Sequence, residues 1–467
     1  MAKIKFPALC WLLLMPLFSL YGQSFRGRGI KISANHRFFV DEKAAPFFWL
    51  GDTGWLLFSK LTREEARHYL EDRHEKGFNV IQVMLLHDLS TINVYGDSAL
   101  VNKNVAHPLL TPGDAFADPA QYDYWDHIDY IVDLAAGLDM YMAMVPLWGA
   151  NVKAGKVARE DAAVYAKWLA DRYRNKWNIV WLNGGDVKGS DSLAIWNTIG
   201  ATLHADDPNH LVTYHPFGRT SSSQWFHNEA WLDFNMFQSG HRDYGQGAKT
   251  DNPFGPDNYR FVEKDYSLKP GKPTLDGEPS YELIPYGLHD TTQPYWQAAD
   301  IRRYAYWSVF AGAAGHTYGH NSVMQMHKSS DMKSAYGSKK YWTAALNDSG
   351  ARQMKYLKLL MLSMPYLDRL PDQSLIAGVP GEKYNYIAAM RGRKYALLYD
   401  YTGRGFEVNM GKIEGVFVKA SWYSPLNGQR VFIGRFGNTG VCRFNPPGEP
   451  REGNDWVLIL ETLPDKY

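Results

Sequence analysis

Two acidic residues, Asp186 and Glu278, follow short apolar stretches that lie far apart in the chain. Asp186 ends the segment Asn178-Ile-Val-Trp-Leu-Asn-Gly-Gly-Asp186, whose apolar run predicts a strand buried on both faces. Glu278 comes just after a second short strand signal, Thr274-Leu-Asp-Gly277. Two carboxyl groups that face one cleft are what hydrolysis of a glycosidic bond requires. Taken singly, each has a plainer explanation: a helix cap for Asp186 and a surface salt bridge for Glu278.

The elements around the two acids alternate between apolar runs and amphipathic helices, the pattern of a (β/α)₈ barrel. A capping box at Thr62-Arg-Glu-Glu65, for example, opens a helix that Gly77 ends. Eight strands are predicted, at residues 47–55, 78–85, 140–148, 178–186, 210–215, 232–238, 274–277 and 311–318. Active-site groups of such barrels come from the C-terminal ends of the strands, so the tips of strands four and seven are expected to share one cleft.

The rest of the chain divides into three predicted parts. Residues 1–22 have the basic and apolar regions of a signal peptide, and residues 23–368 form the barrel. Residues 369–467 change to a period of two with Gly, Asn and Pro turns, which predicts an antiparallel β-sandwich. Cleavage would leave Cys442 as the only cysteine, so an exported location in a bacterial periplasm or on the cell surface is expected without a disulfide.

Polar and aromatic residues at the predicted strand tips are the candidates for binding a sugar, because each hydroxyl needs both donors and acceptors. Aromatic residues make up 15% of the chain, which fits either a large core or a cleft that stacks on sugar rings. The candidate binding residues are Asp52, Trp55, His87, Trp148, Asn183, His215, Gln238, His241, Tyr281, His316 and His320.

Other chemistries find little support. The chain has no Gly-x-Ser-x-Gly elbow, no P-loop and no convincing dinucleotide fingerprint, and Cys442 lies in the predicted sandwich. His316 and His320 could bind a metal with another histidine, but their spacing does not match a zinc motif, so hydrogen bonding to hydroxyls is the favoured interpretation. We therefore expect no metal and no cofactor. A net charge of +1 without a basic stripe argues against nucleic acid, and no stretch after residue 22 is apolar enough to span a membrane.

The role of each acid depends on their separation, which is about 5–5.5 Å in retaining and about 6.5–9.5 Å in inverting glycosidases. In a retaining enzyme, Glu278 would be the nucleophile and Asp186 the acid/base; in an inverting enzyme, Glu278 would be the base. Asp276 shares the strand face of Glu278 and is expected either to orient a ligand or an arginine, or to form a buried ion pair. Glu282 is the nearest rival to Glu278.

Four separated motifs resemble the apiosidase-like glycoside hydrolases of family 140. They are Phe78-Asn-Val-Ile-Gln-Val83, Trp181-Leu-Asn-Gly-Gly-Asp186, Asp276-Gly-Glu-Pro-Ser-Tyr-Glu282 and Tyr306-Trp-Ser-Val-Phe-Ala-Gly-Ala-Ala-Gly-His-Thr-Tyr-Gly-His-Asn321. Trp422-Tyr-Ser-Pro-Leu-Asn-Gly428 and Asp455-Trp-Val-Leu-Ile-Leu460 are similar to the small β-sandwich joined to that barrel, which is sometimes labelled collagen-binding.

The resemblance implies a bacterial enzyme that releases apiose-containing side chains from rhamnogalacturonan II, a pectin. It places the acid/base on Asp186 and the nucleophile on Glu278. Many related barrels carry Asn-Glu at strand four, where this chain has the shorter Asp186. Two alternatives stay open: a glycosidase of another plant polysaccharide, such as a pentosidase or an endoglucanase-like enzyme, and a non-catalytic glycan-binding surface protein. The expected partner is a polysaccharide or oligosaccharide, and the sequence does not indicate an oligomeric state.

Overall fold

The computed structural model describes residues 29–246, 254 and 256–464. The predicted signal peptide, residues 1–22, lies outside them. A three-stranded antiparallel ribbon precedes the barrel and consists of β1 (Lys31–Ile32), β2 (Phe39–Val40) and β3 (Pro46–Phe47). No helix in the described ranges is both long enough and apolar enough to cross a bilayer.

The predicted (β/α)₈ barrel is confirmed. Its parallel strands are β4 (Trp49–Thr53), β5 (Val80–Met84), β6 (Tyr141–Val145), β7 (Ile179–Val187), β8 (Val212–Pro216), β10 (Asn235–Gln238), β11 (Thr274–Asp276) and β12 (Gly315–Tyr318), and the short β9 (Thr220–Ser221) pairs antiparallel with β10. The sheet runs β8-β7-β6-β5-β4-β12-β11-β10. The backbone N–H of Asp233 donates to Val212 O at 2.9 Å and brings β8 and β10 together, so the ring closes.

Helices cover the outside of the barrel and connect its strands. They are α1 (Leu57–Lys60), α2 (Arg63–Glu75), α3 (Tyr124–Gly137), α4 (Gly149–Lys153), α5 (Arg159–Tyr173), α6 (Leu193–Asp206), α7 (Ser223–Phe226), α8 (Tyr259–Ser267), α9 (Ala298–Phe310), α10 (Asn321–Met324), α11 (Trp342–Ala345) and α12 (Ser349–Leu362). The capping box predicted for α2 is present, since the Thr62 hydroxyl accepts from Glu65 N and the Glu65 carboxylate accepts from Thr62 N.

The C-terminal part is antiparallel, as predicted. Its strands are β13 (Leu370–Pro371), β14 (Ile387–Arg391), β15 (Tyr395–Asp400), β16 (Phe406–Asn409), β17 (Phe417–Tyr423), β18 (Arg430–Gly437), β19 (Val441–Phe444) and β20 (Trp456–Thr462). One sheet has the order β13-β14-β15-β20-β17-β18, and β16 pairs with β19 in a second sheet. We call this part the C-terminal module.

The strands of the module that lie against the barrel are buried on both faces. In β15, Tyr395, Leu397 and Tyr399 belong to the barrel core, whereas Ala396 and Leu398 belong to the module's own core. Alternate residues of a strand point to opposite faces, so one strand contributes to both cores. The large apolar area buried this way, together with a two-pronged ion pair between Arg302 and Asp455 at 2.7 and 2.8 Å, joins the module firmly to α9.

Candidate active site

A cavity of about 1100 Å³ opens at the C-terminal ends of the barrel strands. Asp186 and Glu278 both line it, which places the two acids of the distant segments in one cleft. Trp55, His87, Trp148, Gln238, His241 and Tyr281, all predicted from strand tips, also line this cavity.

The tip of β7 presents Asp186 through an unusual backbone. Gly184 and Gly185 have φ of +93° and +109°, and Asp186 itself has φ of +52°, a left-handed conformation that is uncommon for a non-glycine residue. The pairing of β7 with β8 shifts register here, between Gly184 and Val187. A Cβ on Gly185 would come within 2.7 Å of the Trp148 ring, so the two glycines allow both the turn and the close approach.

Glu278 follows β11 and is held by two histidines. Its Oε1 lies 3.2 Å from Nε2 of His241 in a hydrogen bond, and its Oε2 lies 3.2 Å from Nε2 of His215. His215 is fully buried beneath the cavity, and the ring of Trp55 meets it edge-on at 5.2 Å. The carboxylate therefore faces one imidazole on each oxygen.

The backbone sets the tautomer of both histidines. The N–H of Asp186 approaches Nδ1 of His215 at 3.5 Å, and the N–H of Tyr281 approaches Nδ1 of His241 at 3.4 Å. Since an Nδ1 that accepts a hydrogen bond carries no proton, the proton of each neutral ring is on Nε2. The Nε2–H of His241 consequently donates to Glu278, and Nε2 of His215 lies within ion-pair distance of the other carboxylate oxygen.

The two acids have pKa values displaced in opposite directions. Burial, and then the negative charge of Glu278, raises the pKa of Asp186 to about 7. Burial alone would raise the pKa of Glu278 as well, but the N–H groups of His215 and His241 outweigh it and lower that pKa to about 2. One carboxyl group therefore holds a proton near neutral pH while the other is a carboxylate, the division of labour found in two-carboxylate hydrolases.

Five predicted binding residues do not line the cavity. His215 supports Glu278 from below, as described above. Asp52 is buried and accepts a hydrogen bond from the Tyr69 hydroxyl at 2.7 Å, beside Arg73 at 3.5 Å. Asn183 donates to Trp196 O at 2.7 Å, toward the outer helix α6. The side chains of Asp52 and Asn183 thus start at strand tips, but they point into the barrel wall and not into the cavity.

The last two histidines are also internal. His316 is fully buried with its Nδ1 3.3 Å from the Ser308 hydroxyl, and burial lowers its pKa to about 3. His320 caps α10 and lies 2.9 Å from Asp348. In the part of the chain that the structure describes, no group of three or more His, Cys, Asp or Glu side chains is arranged to hold a metal ion.

The two other acids near Glu278 have structural partners. Glu282 accepts from the Tyr318 hydroxyl at 2.6 Å and from Gly350 N at 3.0 Å, and it does not line the cavity. Asp276 is fully buried and accepts from the Ser239 hydroxyl at 2.6 Å and from Asn258 Nδ2 at 3.0 Å. Among the described residues it pairs with no arginine or lysine; its hydrogen bonds to Ser239 secure the start of the loop that carries His241.

Sequence reasoning missed the basic residues of the cavity. Lys188, Arg219, Arg242 and Lys333 line it, and Lys60 lies at its edge. Among the described lining residues, the one acid besides Asp186 and Glu278 is Asp331, which pairs with Lys60 at 2.7 Å. Lys188, Arg219 and Arg242 come within a few residues of strand tips, so an extended search there would have found them, whereas Lys333 comes from a long loop after β12.

Known proteins resemble the chain along most of its length. Residues 33–368 match the family model described as "Apiosidase-like, catalytic domain", and residues 370–461 match that described as "Putative collagen-binding domain of a collagenase". A solved structure titled "Glycoside hydrolase" is 46% identical with a TM-score of 0.88, covering 94% of this chain and 98% of that one.

A crystal structure described as a glycoside hydrolase family 5 protein from Bacteroides vulgatus is 41% identical, also with a TM-score of 0.88. That match covers 95% of this chain and 96% of the other. No curated protein matches the chain.

Proposed function

Because the chain belongs to the apiosidase-like family of glycoside hydrolases, we propose that it cleaves apiosyl–galacturonate bonds of rhamnogalacturonan II in plant pectin. The observation that carries the proposal is a pair of acids that line one cavity, of which Glu278 faces an imidazole on each oxygen. Burial and the charge of Glu278 raise the pKa of Asp186, which suits a proton donor, and the two imidazoles lower the pKa of Glu278, which suits a carboxylate. A protein that only binds glycans has no need for this arrangement.

The lowered pKa of Glu278 favours a role as nucleophile. A general base is most effective when its pKa lies near the working pH, and a pKa of about 2 makes Glu278 a weak base. A nucleophilic carboxylate needs only to be ionised and well placed. The proposed reaction is therefore a double displacement with net retention of the anomeric configuration.

In the first step, Glu278 forms a bond to the anomeric carbon while the glycosidic C–O bond breaks. Asp186 transfers its proton to the departing oxygen as that bond breaks. In the second step, Asp186, now a carboxylate, takes a proton from water, and the water oxygen displaces Glu278 from the sugar. Both acids return to their starting states. Because Glu278 carries no charge in the glycosyl ester, the pKa of Asp186 falls after the first step, which suits its change from acid to base.

The basic rim supports an acidic sugar next to the cleaved bond. Four cations, Lys188, Arg219, Arg242 and Lys333, surround a cavity whose one additional described acid is already paired with Lys60. Guanidinium groups bind carboxylates through paired hydrogen bonds, so a galacturonate carboxylate fits this rim better than a neutral hexose does.

The test is incubation with rhamnogalacturonan II and with the same polysaccharide after its carboxyl groups have been reduced to alcohols. We expect mass spectrometry to show apiose-ended fragments released from the acidic substrate and at least tenfold slower release from the reduced one. Proton NMR of the first product should show the anomeric configuration of the substrate. Turnover of neutral glucans or pentosans with none on rhamnogalacturonan II would refute the proposed substrate, and an inverted product would refute nucleophilic Glu278.

A further inference from the structure

The C-terminal module contacts the loop that carries His241. Tyr384, in the turn before β14, donates from its hydroxyl to Oδ1 of Asp243 at 2.9 Å. Its ring meets that of Tyr244 edge-on at 5.2 Å. We call residues 239–246 the catalytic loop, because this segment also contains His241 and Arg242.

Asp243 is the residue that closes the catalytic loop. Its carbonyl accepts from Gln246 N at 3.0 Å, and its own N–H donates to Gln246 Oε1 at 3.0 Å. The Gln246 amide then donates to Tyr286 O at 3.2 Å. The hydroxyl of Tyr384 thus holds the turn two residues after the imidazole that contacts Glu278.

A second contact between the module and the loop passes through Arg303 of α9. Its guanidinium is fully buried in a box of aromatic rings, 4.5 Å from the ring of Tyr384 and 5.2 Å from that of Tyr401. The guanidinium nitrogens make no hydrogen bond to the described residues, and the carboxylate of Asp300 lies 3.7 Å away. Cation–π attraction to the rings and the charge of Asp300 therefore hold this cation in place.

The same box reaches the catalytic loop from the barrel side. Trp296 forms one wall of it, 5.9 Å from the guanidinium, and its indole N–H donates to the carbonyl of His241 at 3.2 Å. Gly287 N donates to that carbonyl as well, at 2.7 Å. Barrel groups therefore hold His241 itself, whereas Tyr384 of the module holds Asp243 and Tyr244, two and three residues further along the same loop.

We propose that the C-terminal module is part of the catalytic apparatus, with Tyr384 as a positioning residue for His241 and, through it, for Glu278. The module then serves the active site directly and not only as a stabilising partner of the barrel. This inference rests on the role proposed for Glu278, but its structural half can be tested without any substrate.

The experiment compares Tyr384→Phe with Tyr399→Phe. Tyr399 is the matched control, because its buried hydroxyl also donates to a carboxylate at the same interface, Asp455 at 3.1 Å, without touching the catalytic loop. Hydrogen–deuterium exchange should show amides of residues 239–246 and of Gly287 exchanging about tenfold faster in Tyr384→Phe, with the control unchanged there. Equal exchange in both variants would overturn the proposal.

The kinetic half uses whichever glycan the enzyme turns over. Tyr384→Phe should lower kcat about threefold to tenfold with little change in KM, and it should move the acidic limb of the pH profile upward, because a looser His241 stabilises the Glu278 carboxylate less. Tyr399→Phe should leave kcat and that limb unchanged. Equal losses in both variants, or a fall in Tm without a change in the pH profile, would reduce Tyr384 to a structural residue. If no glycan is turned over, the exchange experiment still decides the positioning of the loop.

Discussion

The tips of β7 and β11 present the same functional group in opposite electrostatic settings. At β7, three successive residues with positive φ place Asp186 in a buried pocket where the nearest strong influence is the negative charge of Glu278. At β11, Glu278 accepts a hydrogen bond from His241 on one oxygen and faces the imidazole of His215 on the other. The first setting favours the protonated acid and the second favours the carboxylate.

The difference shows that the two roles are assigned by neighbours and not by residue type. An aspartate is ordinarily slightly more acidic than a glutamate, yet here the aspartate keeps its proton to about pH 7 and the glutamate loses its proton near pH 2. Burial and the charge of Glu278 raise the pKa of Asp186, two histidines lower that of Glu278, and together these effects reverse the usual order.

The largest expected effect is the loss of kcat when either acid is replaced. This loss should depend on the leaving group of the substrate for Asp186 but not for Glu278. Glu278→Gln removes the nucleophile, and we expect a loss in kcat of about 10³-fold or more on every substrate. Asp186→Asn removes the proton donor of the first step and the base of the second, so it should lose about 10²–10⁴-fold on the natural glycan but far less in the bond-breaking step of an activated aryl glycoside, which needs no proton donor. The measurement is pre-steady-state release of the aryl group. If Asp186→Asn loses equally on both substrates, Asp186 is not the proton donor, and the two strand tips do not have the different roles assigned to them.

A smaller effect is expected from the histidine that lines the cavity. His241→Phe keeps an aromatic ring at this position but removes the N–H that stabilises the Glu278 carboxylate, so the pKa of Glu278 should rise. Activity requires Glu278 ionised and Asp186 protonated, so wild type should be active between about pH 2 and about pH 7. The variant should lose about tenfold in kcat/KM, with the acidic limb moved up by about one pH unit.

His87→Phe is the control for that variant, because His87 lines the same cavity and is exposed. Its pH profile should match that of wild type. An acidic limb that stays in place in His241→Phe would show that His215 alone keeps Glu278 ionised.

The smallest expected effect is on the free energy of unfolding. Its dependence on pH should have opposite signs for two acids of the cavity, Asp186 and Asp331. The folded pKa of Asp186 lies above its ordinary value, so its contribution to stability is present at low pH and is lost as pH rises toward 7. The stability of Asp186→Asn relative to wild type should therefore rise by about 2 to 3 kcal/mol between pH 5 and pH 8. Thermal unfolding at the two pH values measures this.

Asp331 is the comparison with the opposite sign. Hydrogen bonds from Lys60 and Lys328 outweigh its burial and lower its pKa to about 2, so its contribution is present above its ordinary pKa and is lost only in acid. Asp331→Asn should lower Tm at pH 8. A stability difference between Asp186→Asn and wild type that is the same at pH 5 and at pH 8 would contradict the raised pKa of Asp186.

Local patterns in the sequence were sufficient for the barrel. The alternation of apolar strands with capped helices predicted all eight parallel strands, because a strand buried on both faces leaves a continuous apolar run. The catalytic candidates followed from one rule about strand tips, which brought Asp186, Glu278 and six other residues to the cavity. The same rule failed for four residues, Asp52, Asn183, His316 and His320. The direction of a side chain near a strand tip depends on which neighbouring group can form a hydrogen bond or an ion pair with it.

By itself, the sequence determined the order of the elements, the two acids and the glycines that let Asp186 turn into the cavity. Only the tertiary structure decided which acid carries the proton, since that depends on two imidazoles from β8 and the catalytic loop meeting Glu278 within 3.2 Å. It also decided that a tyrosine of the C-terminal module holds the same loop, 141 positions away from its partner in the chain. Charge stabilisation and hydrogen bonding act over a few ångströms, and the number of residues between two groups in the sequence does not give their distance in space.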